Sequence, residues 1–448
     1  MTGCASLRTG PRSDGRRDAV SGDDARSPGR IRRHRSRYAG PRKPAGPRGQ
    51  SLVGEVLEVE VGPVAHGGFC VARHEGQVVF VRHTLPGELV RAKVTEGGSQ
   101  DRFLRADAVE VLRASADRVA PVCRHAGPGG CGGCDWQHVD GAAQRTLKGQ
   151  VVAEQLRRLA GIERDVDVVA VPGDSDGLGW RTRVEFAVDA AGRAGLRRHR
   201  SHEVVPIVQC PIADPRVLAS GVLDTLWPGV RAVDVVAGSG AGGAGGAVVV
   251  PVPGGEVPVV RECVECDSWT GEFEVSARGF WQVHLGAAAV FVERVLGALD
   301  AQPGERVLDL YAGVGLFAVP LADAVGPSGS VLAIEGDATA CAHARDNAAG
   351  RDWLKVVVGR VEDRLVGLGP VDLVVLDPPR TGAGRAVIDA VAAMGPRAVA
   401  YVACDPAALA RDLGYAREVG YTLGELTAYD AFPMTHHVEC IAVLRPAP

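Results

Sequence analysis

Hydrophobic positions change rhythm along this chain, and each rhythm predicts a different kind of element. From Ser51 to about Arg113 they fall in short runs (LVGEVLEVEV, GFCVARHEGQVVFV, LVRAKVTEG, RFLRADAVEVL), parted by Gly67-Gly68, Glu75-Gly76, Pro86-Gly87 and Gly97-Gly98. Runs of this length between glycine turns predict short strands closing into a small β-barrel. A polar helix is expected from about Gln144 to Leu159, then a mixed α/β stretch over 165–275. The Gly/Ala run Ala237–Ala247 within it reads as a loop insertion. From about Ala288 an amphipathic helix leads into strand–helix units, with strands at 306–310, 331–335, 355–358, 372–376 and 398–403. That alternation predicts an α/β, doubly wound parallel sheet. Two further strands are expected between Tyr421 and Leu444, around a loop at Tyr429–His437.

Composition adds a tail and a compartment. Residues 1–50 carry thirteen Arg/Lys against four Asp/Glu with almost no apolar pattern, although the whole chain nets only −4. Such a segment buries too little surface to fold alone and reads as a disordered basic arm, either an RNA contact or a solvated tail. It lacks a signal-peptide core, and no apolar run is long enough to span a membrane. Eleven cysteines in 448 residues, in no regular framework, suit a reducing cytoplasm better than a disulfide scaffold.

Chemistry concentrates at predicted strand ends, where ligands of open parallel sheets gather. The loop Asp309–Gly315 (DLYAGVG) brings Tyr311, Gly313 and Gly315 after the first strand, and Glu335 ends the second. Glycines admit close backbone approach, and the acid suits ribose hydroxyls. The spacing D-L-x-x-G-x-G, together with that acid, favours S-adenosylmethionine over NAD. Asp377-Pro378-Pro379-Arg380 closes the fourth strand, with the carboxylate held by two prolines. Cys404 ends the fifth in Ala403-Cys404-Asp405-Pro406, placed as a nucleophile whose pKa needs lowering. Glu439, after Phe432-Pro433-Met434-Thr435-His436-His437-Val438, is a candidate general base. Cys123, Cys131 and Cys134 are spaced C-x7-C-x2-C and need a fourth thiolate for a closed zinc or iron–sulfur site. Cys210, followed by Pro211, and the pair Cys263/Cys266 are the candidates.

Taken together, Phe280-Trp281-Gln282-Val283-His284, DLYAGVG, Glu335, DPPR, ACDP and FPMTHHVE resemble the RNA 5-methyluridine methyltransferase family, in its form with a TRAM domain and an iron–sulfur cluster. The resemblance spans about residues 51–448. It implies a Rossmann-like class I methyltransferase domain at 286–448, a TRAM/OB-like barrel at 51–115, and a central α/β cluster-binding and RNA-binding domain at 116–285. It further implies attack of Cys404 on uracil C6 and removal of the C5 proton by Glu439. Gln282, Tyr311, Glu335 and Asp377 would hold S-adenosylmethionine or the base, alongside Gly313 and Gly315. Cys123, Cys131, Cys134 and Cys210 match the ligands of a 4Fe–4S cluster. The expected substrate is 23S rRNA, with the tRNA T-loop next, and the expected state a cytoplasmic monomer acting on neither DNA nor membrane.

Three positions depart from the family pattern: His284 and Asp405 stand where Asn is common, and Leu316 where a small polar residue or Asn is. Two rival readings are a base-nitrogen methyltransferase working through DPPR, for which Cys404 is dispensable, and a noncatalytic RNA-binding protein.

Overall fold

The computed structural model describes residues 46–240 and 246–448. Most of the basic arm and the middle of the Gly/Ala run lie outside the described residues.

Five strands, β1 (Val56–Val64), β2 (Cys70–His74), β3 (Gln77–Arg82), β4 (Leu89–Glu96) and β5 (Phe103–Arg113), close into a barrel in the order β1-β2-β3-β5-β4. Alternation makes this possible: Leu57, Val59, Val61 and Val64 of β1 are buried, with polar residues between them. The cysteine-bearing segment follows without regular elements. Helix α1 (Gly141–Gln155) is then capped by Asp140, which accepts from the Ala142 and Ala143 N–H groups. It continues through one π-helical turn, Leu156–Ala160, and stops at left-handed Gly161.

After the short strand β6 (Val168–Ala170) comes a five-stranded sheet, order β11-β10-β7-β8-β9. Its strands are β7 (Arg183–Val188), β8 (Ala194–Arg197), β9 (Val204–Pro206), β10 (Ala232–Val236) and β11 (Val248–Val252), with helix α2 (Pro215–Ala219) between β9 and β10. The Gly/Ala run joins β10 to β11, as a loop insertion would. A separate hairpin pairs β12 (Val259–Glu265) with β13 (Thr270–Ser276).

The C-terminal sheet has eight strands, order β16-β15-β14-β17-β18-β20-β19-β6. In chain order its elements are α3 (Ala287–Leu299), β14 (Arg306–Leu310), α4 (Ala318–Val325), β15 (Ser330–Glu335), α5 (Ala338–Asn347), β16 (Leu354–Val358), α6 (Val361–Arg364), β17 (Leu373–Leu376), α7 (Arg385–Ala393), β18 (Ala398–Ala403), α8 (Pro406–Glu418), β19 (Tyr421–Asp430) and β20 (Glu439–Pro446). β14 to β18 are parallel, and β20 turns back antiparallel to β18. β17 and β18 are buried throughout, as central parallel strands with both faces covered must be. The sheet also draws its outermost strand from upstream: β6 pairs parallel with β19. Three residues with no alternation gave no signal for this. Among the described residues, no helix is long and apolar enough to cross a membrane.

Candidate active site

The strand order reverses between β14 and β17, which opens a crevice at their carboxyl ends. Past Leu310 the chain turns sharply, with positive φ at Tyr311 (65°), Gly313 (55°) and Gly315 (93°). A tyrosine rarely takes that conformation. Here the N–H groups of Tyr311 and Ala312 both donate to the Ile334 carbonyl, at 2.9 and 3.1 Å. Glu335, at the end of β15, accepts from the Gly313 N–H at 2.9 Å and the Asp337 N–H at 2.7 Å. It does not cap α5, because Asp337 does so itself. Asp377 ends β17, its N–H bonded to the Leu310 carbonyl at 3.2 Å. Tyr311, Gly313, Gly315, Glu335 and Asp377 are thereby gathered at one crevice. Gln282 is buried between β13 and α3, and its neighbour Trp281 shares a core cluster with Ala312 and Val314 of the glycine loop.

The crevice is strongly acidic, and one member, Asp309, entered the sequence reading only as the first letter of a motif. Asp309, at the end of an otherwise apolar strand, is fully buried with both carboxylate oxygens unpartnered. Burial, then Asp377 and Glu335 nearby, push its pKa up to about 8. Burial and Glu335 push Asp377 up to about 7. Glu439, only 4% exposed, lies well above the carboxylate range through burial and Asp377, against the pull of Arg380. Carboxylates that burial, and then one another, hold back from ionising favour a ligand carrying positive charge.

Cys404 and Glu439 face each other by strand register. Ala403 of β18 pairs antiparallel with Cys440 of β20, so the next residue of one strand opposes the preceding residue of the other. The thiol is not pre-ionised. Burial and the Glu439 carboxylate push it up to about 12, and Arg380 opposes them only in part. The lowered pKa expected of a resting nucleophile is therefore absent.

Cys404 lines a cavity of about 130 Å³ together with Arg380, Asp405, His436, His437 and Trp136. A cavity of ~150 Å³ accepts a benzene ring, so this one suits a single six-membered ring. His66, Gly67 and Gly68 of the barrel complete the wall. His436 Nδ1 lies 2.6 Å from Asp135 Oδ2, and Asp135 also meets Arg82 at 3.3 Å. Burial, the neighbouring His436 and Arg380 push His437 down to about 3, leaving it neutral. Beneath this loop the fully buried Lys148 of α1 reaches Asp430 Oδ1 at 2.5 Å and the Phe432 carbonyl at 3.0 Å. Sequence reading quoted Arg380, Asp405, His436 and His437 within motifs but missed His66, Arg82, Asp135, Lys148 and Asp430, which come from separate segments without a periodic signal. Two family departures find local explanations. His284 is buried, stacked on Trp180, with Nε2 3.4 Å from Asp174. Leu316 joins the core cluster.

A second pocket is lined by all four thiols of the first cysteine set, Cys123, Cys131, Cys134 and Cys210, with Arg181 beside them. None is in a disulfide. Burial and the neighbouring cysteines raise Cys134 to about 12. The His125 and Gly133 N–H groups donate to the Cys123 and Cys131 sulfurs at 3.4 and 3.3 Å. Among the described residues, no group of three or more His, Cys, Asp or Glu is placed to hold a metal ion. Cys263 and Cys266 lie apart, at the β12–β13 hairpin.

Comparison with known proteins agrees with this architecture. Residues 50–109 match the TRAM domain model, and residues 360–446 match the tRNA (uracil-5-)-methyltransferase model. The chain is 50% identical over 432 residues to an uncharacterized RNA methyltransferase of Streptomyces coelicolor, covering 89% of this chain and 94% of that one. It is 32% identical over 450 residues to the 23S rRNA (uracil(1939)-C(5))-methyltransferase RlmD of Alkalilimnicola ehrlichii, covering 89% and 99%. Its fold is similar to that of the Pyrococcus abyssi tRNA (uracil-54, C5)-methyltransferase, with a TM-score of 0.64 and 21% identity over 87% of this chain and all of that one.

Proposed function

We infer the chemistry from the premise that this chain belongs to the RNA (uracil-5-)-methyltransferase family, and is an enzyme that methylates RNA with S-adenosylmethionine. Its reading at full resolution is methylation of uracil C5 in 23S rRNA, with the tRNA T-loop as second choice, in the cytoplasm and through a covalent adduct. The observation that carries it is the opposition of Cys404 and Glu439 beside a ring-sized cavity that adjoins an acidic crevice.

Gln282, Tyr311, Gly313, Gly315, Glu335 and Asp377 would hold S-adenosylmethionine, which supplies an electrophilic methyl on a cationic sulfur. The mutually raised carboxylates suit that charge, and a cation bound there also draws the Cys404 thiol back towards ionisation. Cys404, as the thiolate once its proton has passed to solvent, then bonds through Sγ to C6 of the base, and the ring's π pair shifts towards C5 and O4. C5 would take the methyl group, as its bond to the sulfonium sulfur breaks and that electron pair stays on the departing neutral thioether. Glu439 accepts the C5 proton, the C5–C6 double bond re-forms, and the Sγ–C6 bond breaks to return the thiolate. A base in folded RNA must leave its stack to enter so enclosed a pocket.

The four pocket cysteines line one space, and the Cys123 and Cys131 sulfurs accept backbone N–H bonds. Cys123, Cys131, Cys134 and Cys210 would hold a 4Fe–4S cluster, a structural element since no step above moves an electron.

The test uses RNA carrying 5-fluorouridine with S-adenosylmethionine. Fluorine cannot leave C5 as a proton, so an adduct stable to denaturant must form on the substrate RNA and be absent in Cys404→Ala. Methylation of normal RNA without such trapping points to base-nitrogen chemistry through DPPR instead.

A further inference from the structure

The cavity beside Cys404 is closed on one side by a different domain, and one side chain of that domain reaches the nucleophile's neighbour. The turn between β1 and β2 presents His66, whose Nε2 lies 3.2 Å from Asp405 Oδ2. Asp405 uses its other oxygen, Oδ1, to cap helix α8 through the Ala408 N–H at 2.9 Å. One carboxylate therefore joins the barrel, the first turn of α8 and the residue that follows Cys404. The contact around it is tight. A Cβ on Gly68 would sit 2.6 Å from His436 Cβ, and the Gly68 carbonyl accepts from Trp136 Nε1 at 3.2 Å.

We propose that His66 is a positioning residue for the nucleophile: paired with Asp405, it docks the barrel turn on the Cys404 loop and completes the base pocket. This rests on the reading of Cys404 as nucleophile, and goes beyond it by giving the barrel a place in the covalent step as well as in RNA capture. The hydrogen bond to Asp405 raises the His66 pKa, against burial. The other titratable or charged groups facing it across the cavity are Cys404, Arg380, His436 and His437. A raised histidine pKa means the charged pair is present below that pKa and is lost as pH rises through it.

The experiment measures trapping rates on 5-fluorouridine RNA for wild type, His66→Ala, His66→Gln, Asp405→Asn and the double variant His66→Ala/Asp405→Asn. Asp405→Asn keeps an oxygen for the α8 cap and removes the charge. His66→Ala should slow adduct formation roughly two- to fivefold, as loss of a part-exposed pair allows, with S-adenosylmethionine affinity unchanged. The double variant should be no slower than the slower single, because both remove one contact. The wild-type to His66→Ala ratio should shrink towards one as pH rises, since thiol ionisation is common to both and cancels. His66→Gln, which keeps a donor but no charge, should recover part of the rate with a ratio independent of pH. Additive effects, a flat wild-type to His66→Ala ratio, or equal trapping by His66→Ala would overturn the positioning role. A wild type that traps no RNA overturns the nucleophile reading itself, and this inference with it.

Discussion

Replacing Glu439 by Gln should make Cys404 more reactive and the enzyme inactive at once. Once ionised, Glu439 opposes the thiolate from the next strand. Two unit charges ~5 Å apart, the spacing of an antiparallel pair, interact by about 3 kcal/mol at an effective dielectric near 20, or about two pKa units. Cys404 is only partly buried and borders an open cavity, so solvent screening leaves about one unit. The sign follows from the state destabilised: removing a negative charge lowers a thiol pKa that burial and Glu439 have pushed up to about 12. At a pH where Glu439 is ionised and both thiols are still protonated, the variant then holds about ten times more thiolate. Each thiolate is a weaker nucleophile by a Brønsted factor near 0.45, so the net gain is about threefold. Alkylation by iodoacetamide between pH 8 and 9, followed by mass spectrometry of the Cys404 peptide with Cys404→Ala as blank, measures it. The same variant, given normal RNA, should transfer one methyl and then stall as a protein–RNA adduct. A Glu439→Gln thiol that reacts no faster than wild type would refute the electrostatic coupling, and full turnover would refute the base assignment.

Other consequences are equally open to measurement. Cys404→Ala should lose all methyl transfer while binding S-adenosylmethionine with unchanged affinity by calorimetry, because the carboxylate crevice is intact. Lys148→Met leaves Asp430 charged and buried, at a cost of about 3–5 kcal/mol in a urea titration, and Lys148→Met/Asp430→Leu should recover much of it. Gly68→Ala combines a left-handed backbone (φ 79°) with a Cβ 2.6 Å from His436, so a loss of about 1–2 kcal/mol and slower turnover are expected. Cys210→Ser, purified anaerobically, should lose most of the roughly four iron atoms per chain that an intact cluster brings, by iron and acid-labile sulfide assay.

The catalytic strands were legible because burial on both faces forces unbroken apolar runs. β14 and β18 begin and end at 306–310 and 398–403, as their runs predict. Cys404, Glu335 and Asp377 were legible because each is the first polar group after such a run. What stayed hidden depends on tertiary meeting. His66 sits in a glycine turn that signals only a turn, and Asp309 was legible as the first letter of its motif but not as a buried acid. The acidity of the crevice emerges only when four strand ends converge. The direction of the Cys404 pKa also required the structure, since the sequence shows the helix following the cysteine and not the carboxylate across from it.

The pairing of β6 with β19 sets a clock on synthesis. Some 250 residues separate Ala170 from Tyr421, which at roughly 5–20 residues per second is about 13–50 s of translation. Throughout that interval the barrel and the cysteine-bearing segment can mature, but the outer edge of the methyltransferase sheet has no partner to meet. Glu439 is made later still. A nascent chain of this enzyme can therefore complete its barrel well before the crevice of the methyltransferase sheet closes.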